Sequence, residues 1–144
     1  MSEQEPVWVY ADVVCDLFHA GHVEFFRKAR ALGDGLVVGL VSDADVATYK
    51  PPPVMRFAER LAVVRACKFV DRVLEEPVPL HCTCAFLDKI GAAFACHGDD
   101  LSADQVKFWY GDLTVTGRIK TVPYTRGISS TQIAQRVATR DIDR

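Results

Sequence analysis

No apolar run in the 144-residue chain approaches the roughly 20 residues that a helix needs to span a bilayer. A membrane-spanning role is therefore not expected. The opening Met1-Ser2-Glu3-Gln4-Glu5-Pro6 is acidic, which fits neither a secretory signal nor a transit peptide. No C-x-x-C occurs, and the five cysteines (Cys15, Cys67, Cys82, Cys84, Cys96) are odd in number and lie mostly in apolar segments. They read as reduced thiols of a cytoplasmic protein, not as a disulfide framework. The formal net charge is −2 and no basic stripe is present, so non-specific nucleic-acid binding is not expected. A glycine-rich dinucleotide fingerprint, a P-loop and a G-x-S-x-G elbow are all missing. That counts against a dehydrogenase, a standard ATPase and a serine hydrolase.

What is present is ordinary soluble composition, 49% apolar and 25% charged, in a length that suits one domain with one real core. No repeat, low-complexity tract or linker divides residues 1–144. The chain ends a few residues after its last expected helix, which is compatible with a domain cut from a longer protein. Near-continuous apolar runs predict buried strands at Val7–Val14, Gly35–Val41, Phe69–Leu74 and Ala92–Cys96, with a short fifth at Arg118–Pro123. Between them, helical periodicity predicts Val23–Leu32, ended by Gly33 as a C-cap, and Arg56–Lys68 with Phe57, Leu61 and Val64 on one face. Weaker helices are expected at Leu80–Ile90, ending at Gly91, and at Ser102–Gly111. A last one runs over Ser129–Arg140 with Ile133 and Val137 as its apolar face. Ser102/Gln105 and Ser129/Gln132 have capping-box spacing. Lys50-Pro51-Pro52-Pro53 must be loop. Strand and helix alternate five times, which predicts an α/β fold: a Rossmann-like five-stranded parallel sheet with helices on both faces. In such a sheet ligands bind beyond the carboxyl ends of the strands.

Two motifs carry chemistry at those ends. Asp16-Leu17-Phe18-His19-Ala20-Gly21-His22 joins the first strand to the first helix. A helix start offers free N–H groups and the positive end of the dipole, so it suits an anion, phosphate above all. His19 and His22 add donors, and Gly21 permits close approach of a ligand to the backbone. A metal held by the histidines with Cys15 is disfavoured, because no fourth ligand lies nearby. The second motif, Arg126-Gly127-Ile128-Ser129-Ser130-Thr131, sets three hydroxyls at another helix start, where a plain N-cap needs one. Two such sites over one crevice suit a polyphosphate.

D-x-x-H-x-G-H after a first strand, with G-I-S-S-T near the C-terminus, resembles the nucleotidyltransferase superfamily that carries the HxGH signature. Within it the chain is most similar to the cytidylyltransferases, first those of ethanolamine phosphate and then those of glycerol 3-phosphate. Tyr10-Ala11-Asp12, Lys50-Pro51-Pro52-Pro53-Val54, Glu59-Arg60, Phe69-Val70-Asp71 and His97-Gly98-Asp99-Asp100 share in that resemblance, which covers Trp8 to Val137.

The resemblance implies that CMP passes from CTP to the phosphate of a small phosphorylated alcohol, with Mg²⁺ present and pyrophosphate released. It implies that His19, His22 and Lys50 are catalytic, with Lys50 also bridging to the acceptor. Val14 and Cys15 would line the nucleotide through their backbone, with Gly21, His97, Gly98 and Asp99 beside it, Asp99 near base or ribose. Arg126, Gly127, Ile128, Ser129, Ser130 and Thr131 would bind the triphosphate side. Arg60 would orient the site or contact phosphate. A homodimer is also implied. Two departures stand out: Val13 replaces a glycine ahead of the motif, with Cys15 in place of an aromatic, and Tyr124 replaces the arginine of R-T-x-G-[IV]-S-T-T, with Arg126 two residues later. Tyr124 is therefore placed with the substrate-binding residues. Alternatives are cytidylylation of a small phosphonate such as 2-hydroxyethylphosphonate, an adenylyltransferase of the same superfamily, and a non-catalytic nucleotide-binding domain.

Overall fold

The computed structural model describes residues 4–139. Five strands form one sheet: β1 (Trp8–Val13), β2 (Gly35–Leu40), β3 (Arg72–Val73), β4 (Phe94–Gly98) and β5 (Ile119–Val122). Their spatial order is β3-β2-β1-β4-β5, and every neighbouring pair is parallel. The helices are α1 (Ala20–Arg30), α2 (Asp43–Val46), α3 (Phe57–Arg65), α4 (Cys84–Ile90), α5 (Ala103–Thr116) and α6 (Ser130–Thr139). None is long and apolar enough to cross a membrane.

Strand alternation builds the two layers. On β1, Val9 and Ala11 face a cluster that takes in Phe26 and Ala29 of α1 and Val64 of α3. Tyr10 faces the other way, into a cluster with Leu87 of α4 and Tyr110 and Leu113 of α5. All six residues of β2 are buried, as a central parallel strand covered on both faces requires. The expected α/β sheet with helices on both sides is the observed one. Its strand order reverses between β1 and β4, and the crevice between their carboxyl ends is where a ligand belongs.

Several boundaries differ from the sequence reading, for local reasons. α1 begins at Ala20, not Val23, because His19 is its N-cap. Gly33 is not the C-cap; Ala31 is, in right-handed conformation. Gly33 is needed for space, since a Cβ there would sit 2.6 Å from the Val7 carbonyl oxygen. β3 shrinks to Arg72–Val73. The chain enters it as Asp71, whose carboxylate and amide take the Leu36 amide (2.9 Å) and carbonyl (3.0 Å). α5 continues past Gly111 to Thr116, kinked at Tyr110, and Gly117 ends it in the left-handed region. Gly91 ends α4 in the same conformation, as expected. The Ser102/Gln105 capping box forms with both of its bonds. On α6, Ser129 accepts from the Gln132 amide, but Val137 is 71% exposed, so the expected apolar face is not buried within the described residues. Arg140, the expected last residue of that helix, lies outside them.

Candidate active site

The turn that leaves β1 is strained and held from three sides. Cys15 and Leu17 adopt positive φ (56° and 50°), which non-glycine residues rarely do. Behind the turn lies Arg60, fully buried, donating to the carbonyls of Val14 (2.7 Å), Val41 (3.0 Å) and Met55 (3.2 Å) and to the Asp43 carboxylate (2.6 Å). In front, the Asp16 carboxylate accepts from the amides of Val54 (2.8 Å) and Met55 (2.9 Å), tying the turn to the proline loop that carries Lys50. The Ser130 hydroxyl at the start of α6 donates to the Asp16 carbonyl. The outcome is that His19, Lys50 and the serine–threonine segment converge, although 31 and then about 80 residues separate them in sequence.

The two imidazoles cap their own helix. His19 Nδ1 accepts from the Gly21 amide (3.0 Å), and His22 Nδ1 accepts from the His19 amide (3.1 Å). A ring nitrogen that accepts carries no proton, so these bonds place the proton of each neutral ring on Nε2. Both rings are held neutral: burial lowers the pKa of His19, and burial first, then the neighbouring His19 ring and the Lys50 ammonium, lowers that of His22 to about 4. Their centroids lie 3.9 Å apart, with Phe18 stacked on the far face of His22 at 5.5 Å. The pair thus presents two Nε2–H donors at a helix start, and needs no protonation to do so. Gly21 has a second reason beyond ligand approach: a Cβ there would lie 2.7 Å from His19 Cε1.

A cavity of about 390 Å³ opens beside these rings, at the carboxyl ends of β1 and β4. Val14, His19, Gly21, His22, Lys50, His97, Gly98, Tyr124, Ile128, Ser129, Ser130 and Thr131 all line it, which brings together most of the expected site. A second cavity of about 540 Å³ continues from it past Val14, Cys15 and the prolines, sharing His22, Lys50, Ser130 and Thr131. Lys50 therefore stands at the rim between two compartments. Burial lowers its pKa, and the Asp16 carboxylate pulls the other way.

Four expected contacts fall elsewhere. Arg60 has no donor nitrogen free and is shut inside the fold; of its two expected roles it keeps only that of orienting the turn. Asp99 does not line the cavity, because its carboxylate accepts from the Tyr124 amide (2.9 Å); its neighbour Asp100 lines the cavity instead. Arg126 and Gly127 border neither cavity. Gly127 turns the chain with a φ of 91°, and Arg126 is exposed, whereas Tyr124 lines the cavity.

The floor of the cavity carries His97, which the resemblance set beside the nucleotide, together with Asp12, Tyr49, Trp109 and Tyr110, which sequence reasoning did not assign. Asp12, next to last in β1, accepts a hydrogen bond from the Tyr110 hydroxyl; burial raises its pKa to about 6, with that bond opposing the rise. His97 stacks on Tyr110 (5.1 Å, 9°) and donates from Nδ1 to the Gly98 carbonyl (2.6 Å), which leaves a buried Nε2 unpaired. Tyr49 and Trp109 meet edge to face at 5.3 Å along the same wall. A lone carboxylate at the end of an otherwise apolar strand was the available signal for Asp12. Trp109 and Tyr110 had none, since helical period does not say which aromatic ring meets a ligand. Among the described residues no group of three or more His, Cys, Asp or Glu side chains is placed to hold a metal ion.

Comparison with known proteins agrees with this geometry. Residues 14–136 match the Cytidylyltransferase-like family. An ethanolamine-phosphate cytidylyltransferase of Dictyostelium discoideum is 39% identical over 137 residues, 94% of this chain and 38% of that protein. The enzyme of that name from Mus musculus is 35% identical over 137 residues, 94% of this chain and 34% of that one. Choline-phosphate cytidylyltransferase A of Rattus norvegicus is 34% identical over 146 residues, 97% and 38% of the two chains. The chain thus spans well under half the length of these curated relatives. The solved structure of a lipopolysaccharide core biosynthesis protein from Thermoplasma volcanium GSS1 shares the fold, with a TM-score of 0.68 at 22% identity over 86% of this chain and all of that one. The chain belongs to the cytidylyltransferase-like family.

Proposed function

We propose that this domain transfers CMP from CTP to the phosphate of phosphoethanolamine or a close relative. The observation that carries the reading is the division of the crevice. One end is a cradle of neutral Nε2–H donors, amides and hydroxyls; the other is a carboxylate walled by aromatic rings. The first suits a triphosphate. The second suits an ammonium group, which the Asp12 carboxylate attracts and the rings of Tyr49, Trp109 and Tyr110 favour through their faces. A neutral hydroxyl would gain much less from that carboxylate, so the site favours an amino-alcohol phosphate over a hydroxyalkylphosphonate. The similarity to ethanolamine-phosphate cytidylyltransferases points the same way.

In this reading an oxygen of the acceptor phosphate attacks the α-phosphorus of CTP. The new P–O bond forms as the bond to the β-phosphate bridging oxygen breaks, and pyrophosphate leaves with that electron pair. No residue forms a covalent bond. His19 and His22 donate from Nε2 to the α-phosphate oxygens, whose charge is redistributed in the transition state. Lys50, at the rim of both compartments, offsets the repulsion between the two phosphates. Thr131 and the first amides of α6 take the leaving phosphates. Mg²⁺ enters the proposal with the nucleotide: two imidazoles are poor partners for so hard a cation, and phosphate oxygens with water are good ones. A cytoplasmic location and a homodimer belong to the same proposal, the latter testable by light scattering.

A pyrophosphate-release assay tests the reading, crossing CTP, ATP, UTP and GTP with phosphoethanolamine, phosphocholine, glycerol 3-phosphate and 2-hydroxyethylphosphonate. CTP with phosphoethanolamine should be the fastest pair, and should stop on chelation of Mg²⁺. No release with any pair, despite CTP binding, would leave a non-catalytic nucleotide-binding domain; preference for ATP would make the domain an adenylyltransferase.

A further inference from the structure

The segment between β5 and α6 is clamped where the phosphate cradle alone gives no reason for it. Lys28, more than a turn beyond the histidines on α1, reaches across to donate from Nζ to the Pro123 carbonyl (2.9 Å) and lies 3.5 Å from the Thr125 hydroxyl. From the opposite side the Asp99 carboxylate accepts from the Tyr124 amide (2.9 Å). Two side chains from two different elements thus fix the carbonyl and the amide of the one peptide group that leads into the Tyr124 Cα. The ring they hold is 42% exposed, lines the cavity and packs over the backbone at Gly98, 3.7 Å from where a Cβ would stand.

An exposed aromatic ring with its backbone pinned is a preorganised surface for a flat ligand, since the ordering cost is met before binding. The rest of the cavity is already spoken for. Donors at His19, His22, Lys50 and Thr131 face phosphates, and Asp12 with its aromatic neighbours faces the acceptor. The wall of Gly98 and Tyr124, with apolar Val13, Val14 and Phe25 also lining the cavity, is left for the nucleoside.

We propose that Tyr124 is the stacking platform for the cytosine ring, and that Lys28 and Asp99 are positioning residues that hold it there. The assignment rests on the CTP-dependent reading above. It also gives the departure from R-T-x-G-[IV]-S-T-T a purpose, because at this position a ring replaces a cation, and Arg126 does not restore that cation to the cavity.

Equilibrium binding of CTP and of inorganic tripolyphosphate, measured by titration calorimetry, tests this without turnover. Base stacking on an aromatic residue is worth about 1–3 kcal/mol, so Tyr124→Ala should weaken CTP by about 5- to 150-fold and leave tripolyphosphate within about twofold. Tyr124→Phe should bind CTP like wild type. Lys28→Met should weaken CTP by a few-fold with tripolyphosphate unchanged, and Lys28→Arg should restore it. Unchanged CTP affinity in Tyr124→Ala would overturn the proposal. So would a parallel loss of both ligands, which would make Tyr124 a phosphate contact, or a Tyr124→Phe as weak as Tyr124→Ala, which would assign the role to the hydroxyl. Wild type that binds tripolyphosphate but not CTP would overturn the CTP reading itself. Wild type that binds CTP, with the tyrosine variants indifferent, would overturn only the platform.

Discussion

Two helix starts face the same crevice, and they spend their polar groups differently. At α1, each histidine uses one nitrogen to cap the helix and keeps the other for a ligand. At α6, the hydroxyls are largely committed to the fold. Ser129 caps the Gln132 amide, and Ser130 secures the strained turn through the Asp16 carbonyl. Thr131 alone has no bond to the protein among the described contacts. A ring with two nitrogens can serve structure and ligand together, whereas a hydroxyl bound to the backbone has less left to offer. In the proposed reaction the first helix start would meet the reacting phosphate, and the second would hold what leaves.

Substitutions can break that contrast, beginning with the largest effect. His19→Asn keeps an acceptor for the cap but removes the Nε2–H. It should lower kcat at least about 100-fold, the scale of losing one preorganised donor, while the unfolding midpoint stays near wild type. A kcat near wild type would contradict the role given to the ring. Asp12→Asn tests the far end of the crevice. It should raise KM for phosphoethanolamine about 10- to 100-fold, the range for a charge-assisted bond, and leave KM for CTP unchanged. Asp12 is held neutral below about pH 6, so wild-type KM for the acceptor should rise as pH falls through 6. The acceptor's own phosphate titration persists in Asp12→Asn, so the difference between the two profiles isolates Asp12; identical profiles would dismiss it. At α6, Thr131→Ala should raise KM for CTP only a few-fold, and Ser129→Ala should cost about 1 kcal/mol of stability with little kinetic effect. A catalytic collapse in either would erase the contrast.

The depressed pKa of His22 gives a smaller, thermodynamic test. Its folded value of about 4 lies below the ordinary 6.5. The unfolded chain therefore takes up the proton first as pH falls, and stability is lost between about 6.5 and 4. Melting curves across that window should fall less steeply for His22→Asn; equal slopes would remove His22 as the cause.

Much of this was legible in the sequence, because period and composition act locally. The all-buried β2 announced itself as an apolar run, and the capping box at Ser102 and the capping hydroxyl of Ser129 located two helix starts. Motif order placed His19, His22, Lys50 and the serine–threonine segment at strand ends, where they meet. What was not legible depends on contacts distant in sequence. For Arg60, motif order left open whether it orients the site or contacts phosphate, and the three carbonyls and the carboxylate that the fold closes around it decide for the first. Asp99 and Asp100 were equivalent as letters, and the Tyr124 amide decided which one turned from the cavity. Gly33 had the right spacing for a cap, yet its cause was the Val7 backbone 26 residues earlier.

The central claim is that the signature histidines act as neutral rings whose Nδ1 atoms cap α1 and whose Nε2–H groups meet phosphate. Long-range ¹⁵N–¹H correlation NMR at neutral pH observes this directly. The account expects, for both His19 and His22, an unprotonated Nδ1 and a protonated Nε2, with Nε2 shifting on addition of CTP. A protonated Nδ1 on either ring, or an imidazolium at neutral pH, would contradict it.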